Sequence, residues 1–173
     1  MNRMEISQFS LPRYRQIPEI GLLLEQTVRL INGYLEPLGG VLLTSSMVSN
    51  YVKHGIIDRA VKKQYGRDQL AYLVFIAIAK TVLNLDDIAH LIELQRGYCD
   101  LEVAYDRFCE EFESALRGRP VCNPESPASC SGEIEDRGGA FAAEDPRLRE
   151  VLCDIAAVSS MSILLRMKLE QLV

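Results

Sequence analysis

The sequence predicts a mainly α-helical protein, and three observations carry that prediction. Apolar residues recur every three or four positions through most of the 173-residue chain, the spacing that lines one face of a helix. Pro, Thr, Ser, Asp or Asn opens most of these runs and Gly or Pro closes several of them, as helix ends require. One stretch, Leu42 to Tyr65, departs from the pattern, because a short polar-faced helix is followed by a Gly and then by a compact basic turn.

Residues 1 to 17 have no sustained period and read as an irregular arm. Pro18 then opens a helix expected over Glu19 to Leu35, with Ile20, Leu23, Leu24, Val28 or Thr27, Ile31 and Leu35 on its buried face, ended by Pro37, Gly39 and Gly40. Thr44, Ser45 and Ser46 offer N-caps for a second helix of roughly ten residues closed by Gly55. On it Met47 or Val48, Tyr51 and Val52 turn inward. Ser45, Ser46, Ser49, Asn50, Lys53 and His54 stay outside, side chains able to bond base edges or phosphates. Ile56 and Ile57 form an apolar clasp, and Asp58 to Gln64 is short and basic enough to read as a tight hairpin or wing closed by Tyr65.

Asp68 is expected to cap a strongly apolar central helix, Gln69 to Leu83, and Asn84 or Leu85 to start a shorter one carrying Ile88, Leu91 and Ile92 as far as Gly97. Asp100 opens a helix to about Arg117 with Leu101, Tyr105, Phe108, Phe112 and Leu116 on one face and an acidic outer face. The stretch 118–145 is rich in Gly, Pro and Ser and reads as a flexible loop. Pro146 begins a final helix to Leu172, in which Val151, Ile155, Val158, Ser162, Leu165, Leu169 and Leu172 alternate four- and three-residue steps. That seam suits a coiled coil with a second copy or packing on the chain's own domain, and the spacing does not choose.

Charge is unevenly spread. Between Thr44 and Arg67, five cations (Lys53, Arg59, Lys62, Lys63, Arg67) face Asp58 alone, so a segment of +4 sits on a chain whose net charge is −5. A basic face on an acidic body suits a protein that touches phosphates on one side. The most apolar segment, Leu70 to Ala79, is far short of the roughly 20 residues a membrane span needs. With no secretory pattern at the N-terminus, a cytoplasmic location and no membrane partner are expected.

The five cysteines, Cys99, Cys109, Cys122, Cys130 and Cys153, form neither a CxxC pair nor a metal pattern. The two histidines, His54 and His90, lie in no nucleophile, metal or phosphate-loop motif. No catalytic residue, cofactor or metal is therefore expected. Tyr105, Phe108 and Phe112, where they meet Met161 or Met167, read as core rather than as an effector pocket.

The segment Val48 to Ile57, VSNYVKHGII, with the wing, Tyr65, Leu70, Leu73, Phe75, Ile76 and the Leu85-Asp86-Asp87-Ile88 helix start, resembles the winged helix-turn-helix of the mercury-resistance-regulator (MerR) family. Tyr51, Gly55 and Ile56 match that family's Tyr-x-x-x-Gly-Leu clasp. The wider set LPRY, PLGGVLLTSSMVSNYVKHGII and KKQYGRDQLAYL resembles a family of uncharacterised bacterial proteins containing a domain of unknown function. Two departures from the regulators stand out: Ser49 replaces an Arg, and the wing is reduced to Ala60 to Gln64.

The resemblance implies a winged helix-turn-helix-like domain over 1–97 and a helical region over 98–173 with the long final helix 146–172. It implies a transcriptional regulator that binds double-stranded DNA, with Asn50 and Lys53 carried over as contacts and Lys62 and Lys63 in place of the wing's cations; the exposed polar and basic residues Thr44, Ser45, Ser46, Ser49, His54 and Arg67 are expected at the same surface, and palindromic recognition would need a dimer, which the final helix could supply. The alternative is a protein-interaction module on the same scaffold that no longer binds DNA.

Overall fold

The computed structural model describes residues 8–118 and 146–170. Among them the fold is mainly helical: α1 Leu24–Leu35, α2 Ser45–Lys53, α3 Arg67–Ala79, α4 Leu85–Tyr98, α5 Leu101–Leu116 and α6 Pro146–Glu170. Two short strands, β1 Leu22–Leu23 and β2 Gln64–Tyr65, pair antiparallel with Leu22 opposite Tyr65 and Leu23 opposite Gln64. Residues 119–145 of the expected loop, with Cys122 and Cys130, and the last seam position Leu172 lie outside the described residues.

Helix α3 is the centre of the molecule. All ten residues from Leu70 to Ala79 are buried, and the helix touches α1, α5 and α6. A helix apolar on every side cannot face water and is enclosed by its neighbours. It begins at Arg67 rather than being capped by Asp68: Gly66 is the N-cap residue, and its N–H donates to Gln69 Oε1 at 2.7 Å. It also stops at Ala79, short of the expected Leu83, where Thr81 Oγ1 donates to the Ile78 carbonyl. Asn84 then caps α4 by accepting from the Asp87 N–H at 2.9 Å.

The first helix is the main correction to the expected element bounds. It starts at Leu24, not Glu19, because Leu22 and Leu23 are committed to the strand that pairs with β2. Gly21 lies so close to that strand that a Cβ there would meet Gln64 Cβ at 2.8 Å. Consequently Ile20 and Leu23 are exposed, while Thr27, Ile31 and Leu35 form the buried face.

The N-terminal arm is ordered by α5. Phe9, Leu11 and Ile17 are buried in the core, and Glu113, itself 4 % exposed, accepts from the Leu11 N–H at 2.8 Å and from Arg13 at 2.8 and 3.0 Å. The hydrogen bonds that Arg13 donates to Glu113 push the guanidinium's pKa further up, favouring its charged form. One residue on, the Tyr14 N–H donates to Asp106 Oδ1 at 2.6 Å, and the Tyr14 hydroxyl bonds Asp68 on α3. A single hydrophobic cluster runs from Phe9 through α3 to Met167, so the core crosses position 97 without interruption.

Helix α6 packs along α5. Its buried face is Leu152, Cys153, Ile155, Ala156, Ser159, Ser160, Ile163 and Met167. Of the expected seam, Ile155 points into the core, whereas Val151, Val158 and Leu165 are exposed. Met167 joins the core that holds Phe108 and Phe112, and Met161 is turned to solvent. No described helix is long and apolar enough to cross a membrane.

Two outcomes test the arm. Glu113→Ala leaves the Leu11 N–H and part of Arg13 buried without an acceptor and should cost roughly 1–3 kcal/mol in a denaturant melt; Glu113→Gln, which keeps one acceptor, should cost less. Asp106 has its pKa raised, first by burial. A carboxyl raised on folding contributes stability below its unfolded pKa and loses it as pH rises through the folded value. Asp106→Asn, which keeps an acceptor for Tyr14, should therefore be more stable than wild type at neutral pH, with the difference vanishing below about pH 4. A constant difference across that range would show that ionisation is irrelevant there.

Candidate nucleic-acid interface

The local order from β1 to β2 places a short helix and a basic hairpin side by side in the chain, both anchored to α3 and α1. Thr44 sits in extended conformation and its Oγ1 accepts from the Met47 N–H at 3.2 Å, the N-cap that starts α2. Val48 and Tyr51 are buried against the core. At the other end Gly55 takes φ +71°, and the Ile56 N–H returns to the Tyr51 carbonyl at 2.9 Å. That reversal lets Ile56 and Ile57 plunge into the core at 4 % and 1 % exposure.

With its apolar side fixed, α2 exposes Ser46, Met47, Ser49, Asn50 and Lys53, followed by His54. The hydroxyls are not equally free. Ser49 Oγ donates to the Ser45 carbonyl at 2.9 Å, and Ser45 Oγ donates to Glu25 Oε1 on α1 at 2.7 Å. Glu25 was not anticipated from sequence. It sets a carboxylate beside the first turn of α2, where a phosphate would otherwise meet the positive end of the helix. Toward described residues, the side chains of Ser46, Asn50, Lys53 and His54 make no hydrogen bond or ion pair.

The wing is a two-residue turn. Val61 and Gln64 exchange both backbone hydrogen bonds, at 3.0 and 2.9 Å, and Lys62 and Lys63 occupy the corner with φ +50° and +65°. Two consecutive positive φ angles make a type I′ turn, the hairpin turn that Asn-Gly fills without strain. Lysine in the left-handed region costs roughly 1–2 kcal/mol per residue. Both lysines are exposed at this tip. The base of the wing is held by Gln69, whose Nε2 donates to the Asp58 and Arg59 carbonyls at 2.9 and 3.1 Å.

Arg67 is placed differently from the other cations. Its Nε donates to the Ile17 carbonyl at 3.0 Å, its guanidinium lies 5.6 Å from the Tyr14 ring centre, and Glu19 is 3.7 Å away. It braces the arm. The exposed positive set is therefore Lys53 on α2 with Arg59, Lys62 and Lys63 on the wing.

Beside α2 a groove of about 440 Å³ is lined by Ser46, Met47, Asn50, Tyr51, Lys80, Leu83, Asn84 and Leu85. Lys80 lies within the span expected for the apolar central helix, Gln69 to Leu83. Its Nζ instead reaches the Leu42 carbonyl at 3.0 Å and Met47 Sδ at 3.2 Å, tying the approach to α2 to the end of α3, and partial burial lowers its pKa. Among the cysteines, Cys109 is buried, and burial pushes its thiol up to about 12. Among the described residues no group of three His, Cys, Asp or Glu is arranged to hold a metal ion.

Residues 12–108 match the family described as domain of unknown function, DUF1836. The chain belongs to the DUF1836 family. The matched region takes in the arm from Pro12, the α2 and wing unit, the central helix and half of α5; α6 lies beyond it. No curated protein and no solved structure gives a significant match.

Removing the carboxylate beside α2 has a definite expected result. If α2 approaches phosphate, Glu25→Ala should raise affinity for duplex DNA several-fold at low salt, an effect that added salt erases. Reduced or unaltered affinity in a titration would mean that the α2 N-terminus does not approach phosphate.

Proposed function

We propose that this DUF1836 protein is a transcriptional regulator that binds double-stranded DNA through a winged helix-turn-helix-type unit, with α2 in the major groove and the Val61–Gln64 turn on the flanking backbone. Ser46, Asn50 and the C-terminal Lys53 supply the groove-facing set, and Lys62 and Lys63 the phosphate contacts. Thr44, Ser45 and Ser49 contribute chiefly by shaping α2, and Arg67 by bracing the arm.

The observation that carries the reading is the wing tip. Two lysines stand at backbone positions where Asn-Gly would be less strained, and both project from an otherwise acidic chain. Backbone strain retained at an exposed, charged turn is the pattern of a contact site. The strand order also supports it: β1 before α1 pairs with the strand that follows the wing, fixing the turn relative to both helices.

The groove beside α2 favours a second reading. Met47, Tyr51, Leu83 and Leu85 give it apolar walls, which suit a protein segment better than a phosphate backbone. In that case the chain is a protein-interaction module on the same scaffold.

Two variants separate the readings. Lys62→Ala with Lys63→Ala should lower the dependence of log affinity on log salt by about one unit per lost contact in a mixed-sequence duplex assay. Lys62→Asn with Lys63→Gly should move stability and affinity in opposite directions, raising the melting temperature while weakening DNA binding. Absence of any DNA affinity in wild type at low salt would leave the interaction module standing instead.

A further inference from the structure

Lys80 carries a charge that no acid among the described residues neutralises. It is the C-cap of α3 and lines the groove beside α2. An ammonium has three N–H donors. Two serve the Leu42 carbonyl at 3.0 Å and Met47 Sδ at 3.2 Å; among the described residues the third has no partner. A tie between a carbonyl and a thioether needs donors but no positive charge. Half-burial works against the charge, and the negative end of α3 offsets this only in part, since the pKa is still lowered.

The surroundings say what would meet that charge. Met47, Tyr51, Leu83 and Leu85 make the groove's walls largely apolar, while Ser46 and Asn50 on α2 have side chains with no bond to described residues. No carboxylate lines the site; Asp87, in the first turn of α4, is held by the Asn84 amide at 2.6 Å. The volume of about 440 Å³ lies in the range of small-molecule sites. A docked helix needs anchors over two or more turns, and eight lining residues offer too short a bed for that.

We propose that this groove binds a small amphipathic carboxylate, an aliphatic or aryl acid whose carboxylate pairs with Lys80 and Asn50 while its apolar body lies against Met47, Tyr51, Leu83 and Leu85. Ser46 and Asn50 belong both to this lining and to the set that α2 offers to DNA, so bound acid and bound DNA exclude each other. That exclusion rests on the reading of α2 as the DNA-facing helix; the binding site does not.

Methyl NMR spectra of the full chain test the site, because Met47 lies in it and its signal is assigned by its loss in Met47→Leu. Octanoate and phenylbutyrate should shift the Met47 methyl saturably, and octanamide, equally long but uncharged, should bind several-fold more weakly. Lys80→Gln, which keeps a donor for Leu42, should weaken octanoate roughly tenfold or more, and Lys80→Arg far less. The amide comparison uses wild type, so it stands whatever Lys80→Gln does to folding. At low salt, saturating octanoate should lower affinity for a mixed-sequence duplex several-fold relative to the same concentration of acetate. No saturable Met47 shift with either acid overturns the proposal and leaves the groove to a protein segment. Equal binding of octanoate and octanamide overturns the role of Lys80. Saturation of Met47 with DNA affinity unmoved overturns the exclusion, and a wild type without DNA affinity removes the DNA reading and the exclusion together while the Met47 titration still decides the site.

Discussion

The carboxylate of Glu113 is the point on which the rest of this structure depends. It is almost wholly buried, and a buried charge is tolerated only when its lone pairs are satisfied by donors, preferably charged ones. The donors are Arg13 in bidentate geometry, the Leu11 N–H and, at 3.4 Å, Arg117 one helical turn further along α5. Because Leu11 and Arg13 belong to the arm, satisfying one side chain on α5 fixes the path of the chain's first described residues. Phe9, stacked edge-on against Phe112 at 6.3 Å, and Ile17 are then delivered to the core. The arm continues to Tyr14 and Arg67, so the same interaction orients the first turn of α3, from which Gln69 holds the wing.

Much of the helical plan was legible because it rests on local chemistry. The Thr44 cap, the Gly55 reversal and the Ile56-Ile57 clasp are short-range features, and each stands where its residue types put it. The central burial of Leu70 to Ala79 follows from composition alone, since no polar residue interrupts it. What escaped the sequence depends on partners distant in the chain. Leu23 fits the helical period of α1 and Leu22 lies within the expected helix, and only the approach of Gln64 and Tyr65, some forty residues later, makes them a strand. Glu113 looked like one of several acids on a solvated face; nothing near it in sequence announces that Arg13 will cover it.

The candidate site shows the same division. Its helix and wing were readable as polar and basic surface, but their finer state was not. Ser45 and Ser49 spend their hydroxyls on Glu25 and on the helix backbone, and Arg67 is drawn to the arm. The positive φ angles of Lys62 and Lys63 could not be foreseen from a Val-Lys-Lys-Gln sequence, which lacks the Asn-Gly signal of that turn. In α6 the seven-residue spacing was visible, yet it took the packing on α5 to divide the seam between Ile155 inside and Val151, Val158 and Leu165 outside.

The pairing of Leu11 and Arg13 with Glu113 spans 102 and 100 residues. During synthesis, the first segment of the fold to leave the ribosome must therefore wait for nearly the last residue of α5 before it can dock. Until then Phe9, Leu11 and Ile17 remain uncovered, and α3 lacks one of its walls. Long-range closure of this kind slows folding and leaves apolar surface open to wrong partners in the interval. It also makes the α2 and wing unit a poor candidate for excision: a fragment ending near residue 97 would carry the proposed contact surface but not the carboxylate that sets its foundation.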